Sequence, residues 1–138
     1  MHTDARNYLM QIRRLDERIS EMEASASWAY ERATNITAQY NKVAIDHSND
    51  NHHVEENYAE LTERIDWMKA QLLSLEADIL ATISKVPNNE QARLLTNYYC
   101  RCWSFEKCAV EMHYSYRHII RMHRKALNEV DAILASCP

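Results

Sequence analysis

The chain has 138 residues, no glycine, two prolines, and 20 Asp and Glu against 16 Lys and Arg, for a net charge of −4. That is one domain, or a small domain with an extension, large enough to bury a core; with almost nothing to build tight hairpin turns, an all-α chain follows. No apolar run nears the ~20 residues of a membrane span and no charged-then-apolar leader opens the sequence, so a soluble cytoplasmic protein with no membrane partner is expected.

Asp4 is placed to cap a first helix. From there apolar or small residues recur at 5, 8, 12, 15, 19, 22, 26, 29, 33 and 36. Steps alternating between three and four are the heptad signature of helices packed side by side. Tyr8, Ile12, Leu15, Ile19 and Met22 make a bulky seam, while Ala26, Ala29 and Ala33 thin it and let a neighbouring helix come close. Thr34 to Thr37 weaken helix propensity, yet Tyr40 and Val43 continue the seam, which puts the helix end between residues 34 and 46. The polar stretch His47 to His53 reads as a loop. Asp46, His47, Asp50, His52 and His53 are metal-ligating types, but ligands on a loose loop lack a supporting shell, and a plain polar loop is the better reading.

The second long helix is the strongest pattern in the sequence: Val54, Tyr58, Leu61, Ile65, Met68, Leu72, Leu75, Ile79, Thr82 and Val86 step four and three without a miss. Leu73, Leu80 and Ile83 widen the stripe, as where a further helix packs. At ~1.5 Å per residue the two rods are about 48 and 50 Å long, matched for an antiparallel, coiled-coil-like hairpin over 1–87. A homodimer in which two hairpins share seams fits the same pattern.

Pro87 ends the second helix, and Asn88 or Asn89 caps the next, which carries Ala92, Leu94, Leu95, Tyr98 and Tyr99. Trp103 falls at the junction before Ser104, an N-cap for a short helix with Phe105, Cys108, Ala109 and Met112 on its buried face. The pattern stops at His113 and Tyr114. Ser115 caps a last helix whose Ile119, Met122 and Ala126 face inward, leaving Tyr116, Arg117, Ile120, Arg121 and Arg124 on the opposite side. Residues 88–138 are thus expected to form a three-helix module containing a helix–turn–helix.

The order S-aromatic-E-x-x-A, then M-x-Y-S-x-R-x-I-x-R-x-H-x-x-A-L, over roughly Leu94 to Leu127, resembles the helix–turn–helix of sigma-factor region 4, in the version carried by small phage and prophage proteins regarded as transcriptional regulators. The resemblance implies that the helix beginning near residue 89 supports a two-helix reader of duplex DNA. Two departures stand out: such proteins often carry Gly where this chain has Cys102 and His113. A left-handed turn residue is easiest for glycine; His tolerates that conformation better than most.

Charge sharpens the reading. Residues 1–87 hold 9 Lys and Arg against 15 Asp and Glu, whereas residues 88–138 hold 7 against 5. From Ser115 to Asn128 there are four cations and no acid, with His118 and His123 expected to add partial charge as pH falls. In a major groove Arg117 and Arg121 would reach guanine O6 and N7, and Tyr116 and Ile120 thymine methyls. Arg124 and Lys125 would meet phosphate, where Ser115 could also donate; His118 completes the expected DNA-contacting set. The expected partner is double-stranded DNA, with RNA polymerase or another host protein as a candidate for the acidic hairpin, in the cytoplasm of a bacterial host.

Two readings of other classes stay open. One is a packaging adaptor similar to the small subunit of a phage terminase; the other is an interaction protein whose acidic hairpin occupies a host protein's nucleic-acid site. An enzyme is not expected: a chain without Gly has no phosphate-cradling loop, and no nucleophile–base set has a recognisable setting. No cofactor is expected either. Cys100, Cys102, Cys108 and Cys137 form no CxxC pair, and with His113 their spacing fits no familiar zinc finger, so reduced thiols are the reading.

Overall fold

A computed structural model describes residues 2–40 and 48–136, with side chains over 4–35 and 55–136. Among the described residues the chain is all-α and contains no strand. The helices are α1 (His2–Tyr40), α2 (Ser48–Ile83), α3 (Asn89–Leu95), α4 (Phe105–Met112) and α5 (Tyr116–Ser136), and α3 runs on into one wider π-type turn, Thr96–Cys100. No helix among these residues is long and apolar enough to cross a membrane.

Several boundaries differ from the sequence expectation. The stretch expected as a loop, His47 to His53, is helical from Ser48 onward, while His47 lies outside the described residues. Ser48, Asn49 and Asp50 fall in the first turn of α2. The ligand set drawn from Asp46 to His53 has no described side chains. At the other end α2 stops at Ile83, short of Pro87, and Val86 N–H bonds to the Ile83 carbonyl at 2.9 Å in a tightened turn. Asp4 sits inside the first turn of α1 rather than before it. There the Ala5 N–H finds its acceptor in Asp131 Oδ1 of α5, at 3.0 Å.

Local chemistry sets the C-terminal helices. Asn88 Oδ1 accepts the Gln91 N–H at 3.1 Å and Ser104 Oγ accepts the Lys107 N–H at 3.1 Å, each using a backbone donor that a helix start leaves unpaired. α4 ends on His113 at φ 63°, with Tyr114 N–H on the Ala109 carbonyl (3.0 Å) and His113 N–H on Val110 (3.4 Å), the paired bonds of a Schellman stop. Cys102 is also left-handed, at φ 59°. In the π-type turn, Arg101 N–H reaches back to Thr96 at 3.0 Å. The widened turn aims two adjacent tyrosines differently: Tyr99 is fully buried in one apolar cluster, while Tyr98 lies against both.

The chain divides into two compact units, residues 16–71 and, together, residues 1–15 with 72–138. Pro87 therefore lies inside the second of these, which draws on both long helices. Within it, Ala5, Leu9 and Ile12 of α1 pack with Ile79 and Ile83 of α2, Leu95, Tyr99, and Ala126, Leu127 and Val130 of α5. Tyr8 donates to or accepts from Thr82 Oγ1 at 2.9 Å, fixing the α1–α2 register. A second cluster joins Leu94, Cys108, Ala109 and Met112 to Ile119 and Met122, with Trp103 packed against it as expected. Of the three residues expected to meet a further helix, Ile83 is buried but Leu73 and Leu80 are exposed.

In the unit 16–71, Ile19, Ala26, Ile65 and Met68 are buried. Glu23 pairs with Lys69 at 3.6 Å and the Tyr30 and Tyr58 rings lie 5.3 Å apart, so partners on α2 recede as α1 advances, which is antiparallel packing.

Two stability predictions follow from these contacts. His113→Gly should stabilise the protein by about 1 kcal/mol, because glycine adopts the left-handed stop without a Cβ clash, whereas His113→Val should destabilise it. Ile119→Ala should cost about 2–5 kcal/mol, the range for truncating a fully buried aliphatic side chain. Urea denaturation midpoints check both.

Candidate functional site

α5 begins where Ser115 Oγ accepts the His118 N–H at 3.1 Å, so the expected cap is made and the hydroxyl proton stays available to donate outward. Ile119 and Met122 bury into one cluster and Ala126, Leu127 and Val130 into the other. That fixes the rotation of the rod. Arg117, Arg121 and Arg124, stepping four and three, then share the solvent side with Lys125 and His118, all exposed; Tyr116 is half exposed and Ile120 partly covered. Among the described residues no carboxylate pairs with Arg117, Arg121, Arg124 or Lys125. Every residue of the expected DNA-contacting set therefore lies on one short stretch of α5 or at its cap.

One flank of this surface is a groove of about 420 Å³ between α5 and the start of α3. His118, Arg121 and Lys125 line it from α5, and Asn88, Glu90 and Gln91 from the other side. Tyr114 closes the end: its ring stacks on His118 at 4.7 Å, and its hydroxyl donates to Glu90 Oε2 at 3.4 Å. The acid-free character of residues 115–128 is thus a property of the sequence, and Glu90 supplies a negative charge from elsewhere in the chain. Because a carboxylate repels phosphate, the ridge of Arg117 and Arg124 is the cleaner anionic-ligand surface, and Arg121 sits between ridge and groove.

An aromatic clasp holds α5 from behind. Tyr99 Oη and His123 Nε2 share a hydrogen bond of 2.6 Å, Phe105 stands edge-on to His123 at 4.9 Å, and Tyr98 stacks on Phe105 at 4.0 Å. Arg13 lies over Tyr98, 4.3 Å from the ring centre, and donates to its carbonyl at 3.4 Å. Arg101 and Lys107 stand 5.4 and 4.8 Å from the Trp103 ring centre, two further cations beyond α5 that periodicity gave no reason to group. Long-range stacking of this kind leaves no trace in helical spacing; the signal in the sequence was only the density of aromatics between 98 and 105.

Burial, chiefly, drives the Tyr99 phenol well above its ordinary range, with Tyr98 adding to the effect and Arg6 and Arg13 opposing it. The Cys100 thiol is pushed up to about 11 by burial first, then by Glu76 and Cys102. Cys108 is also raised by burial, against a smaller pull from Arg13. Raised thiols are poor nucleophiles and poor metal ligands near neutrality. None of Cys100, Cys102 and Cys108 is in a disulfide, Cys102 Sγ lies 3.8 Å from the Tyr99 carbonyl, and Cys137 is outside the described residues. No three His, Cys, Asp or Glu side chains among the described residues converge as a metal set.

No family model matches the chain, and neither a curated protein nor a solved structure matches it. The site is defined by its own geometry.

Because the Cys100 pKa is higher folded than unfolded, its contribution to stability is complete below about 9 and is lost as pH rises towards about 11. Wild type should therefore lose more stability than Cys100→Ala between those pH values, measured as the difference in denaturation midpoint.

Proposed function

We propose that the chain is a DNA-binding transcriptional regulator of phage or prophage type, acting in a bacterial cytoplasm and reading duplex DNA through α5. The observation that carries this reading is a helix anchored along one side in two apolar clusters while three arginines and a lysine on the other meet no carboxylate among the described residues. Cations in such a row cost the fold little and gain most from a polyanion, whose condensed counterions they release. Arg117 and Arg121 read guanine edges, Tyr116 and Ile120 meet thymine methyls, and Ser115, His118, Arg124 and Lys125 contact the backbone. The Tyr114–Glu90 pair bounds the contact on the groove side.

So few cations give one copy only weak affinity, so a second copy or RNA polymerase strengthens binding at the operator. The likeness to a packaging adaptor has a simple discriminator, since that reading requires a ring of many subunits.

Arg117→Ala and Arg121→Ala should each cost about 1–3 kcal/mol of specific binding, while Lys125→Ala should weaken all sequences alike and lower the salt slope by about 1. Fluorescence anisotropy on specific and scrambled duplexes at several salt concentrations measures both effects. Equal, salt-insensitive loss in all three variants would contradict these roles.

A further inference from the structure

The unit formed by residues 16–71 carries 12 Asp and Glu against 5 Lys and Arg, a net charge of −7, while the remainder of the chain carries 8 against 11. Charge on this scale sets which surfaces can approach. The same unit keeps large aromatic rings in water: Trp28, Tyr30 and Trp67 are 61%, 56% and 54% exposed. Its buried residues, Ile19, Ala26, Ile65 and Met68, do not include them. Each indole instead carries a guanidinium from its own helix, with Arg32 over Trp28 at 5.3 Å and Arg64 over Trp67 at 5.0 Å. Beside Arg64, Asn57, Glu60, Leu61 and Glu63 line an open hollow of about 530 Å³.

Trp, Tyr and Arg are the residue types that concentrate binding energy where proteins meet. An Arg stacked on an indole in advance also loses less freedom on association. We infer that residues 16–35 and 55–71 of this unit form a docking surface for a protein with a Lys- and Arg-rich face, with Trp28 and Trp67 as anchors and Glu60 and Glu63 among the carboxylates that select the partner. Charge decides the occupant. Nucleic acid and anionic lipid are repelled by a unit at −7, and a second copy would bring the same unit at the same charge. This inference is independent of the DNA-reading proposal, because it uses no residue of α5.

The test uses the full chain carrying a photo-reactive benzoylphenylalanine in place of Trp28 or Trp67, irradiated in bacterial lysate. The crosslinked protein is then identified, purified and titrated with the unmodified chain at low and high salt. The surface is supported if the crosslinks map to a basic face, if Trp28→Ala and Trp67→Ala each weaken the reconstituted complex at least tenfold, and if Glu60→Lys with Glu63→Lys weakens it and flattens its salt dependence. Because these side chains are exposed, unchanged circular dichroism should accompany each variant. Crosslinks to a second copy of the chain, to nucleic acid or to nothing overturn the inference, as does a partner whose affinity ignores the tryptophans. Duplex binding by the Trp variants, measured in parallel, should match wild type.

Discussion

α5 has one side committed to two separate apolar clusters. Its first half contributes Ile119 and Met122 to the cluster with α4, and its second half contributes Ala126, Leu127 and Val130 to the cluster with α1 and α2. A rod pinned at two levels cannot roll, so the direction in which Arg117, Arg121 and Arg124 point is a consequence of core packing. His123 lies between the two levels, and its bond to Tyr99 ties the middle of the rod to the turn that follows α3. Asp131 ties the far half to the start of α1. The cationic surface of α5 thus depends on residues spread from position 5 to position 131, although the side chains proposed to touch DNA fit within eleven positions.

This arrangement also explains why α1 begins as it does. In an isolated hairpin only the seam facing α2 would be apolar, but here α1 meets α5 as well, and Leu9 is buried beside the seam positions. The chain's charge is divided along with its packing. Cations outnumber acids in the unit that contains α5, and acids dominate in residues 16–71, so each unit favours a ligand of opposite sign.

The periodic features of the fold were legible in the sequence. Two long amphipathic helices and the caps at Ser104 and Ser115, with Asn88 taken from the pair Asn88 and Asn89, each follow from a residue type with a local role, and the structure makes each of them. The left-handed backbone at Cys102 and His113 stands where the resemblance puts glycine, not where residue type alone would place it. What could not be read there depends on contact between distant residues. Leu9 needed knowledge of α5, Glu90 beside the basic groove needed the packing of α3 on α5, and the π-type turn answers the separate packing of Tyr98 and Tyr99. The misread stretch from Ser48 to His53 shows the opposite limit. Asn, Asp and His favour loops on average, yet a long helix can start within such a stretch, because Asn and Asp are also residue types favoured at helix starts.

The central claim, that the outer side of α5 reads duplex sequence, is tested most directly by selecting bound sites from a random duplex library with the full-length protein. The account predicts enrichment of a defined, guanine-containing motif. It further predicts that protein mixed with that duplex gains hydrogen-exchange protection across residues 115–125. A library that emerges unenriched, or protection confined to residues 16–71, would contradict it.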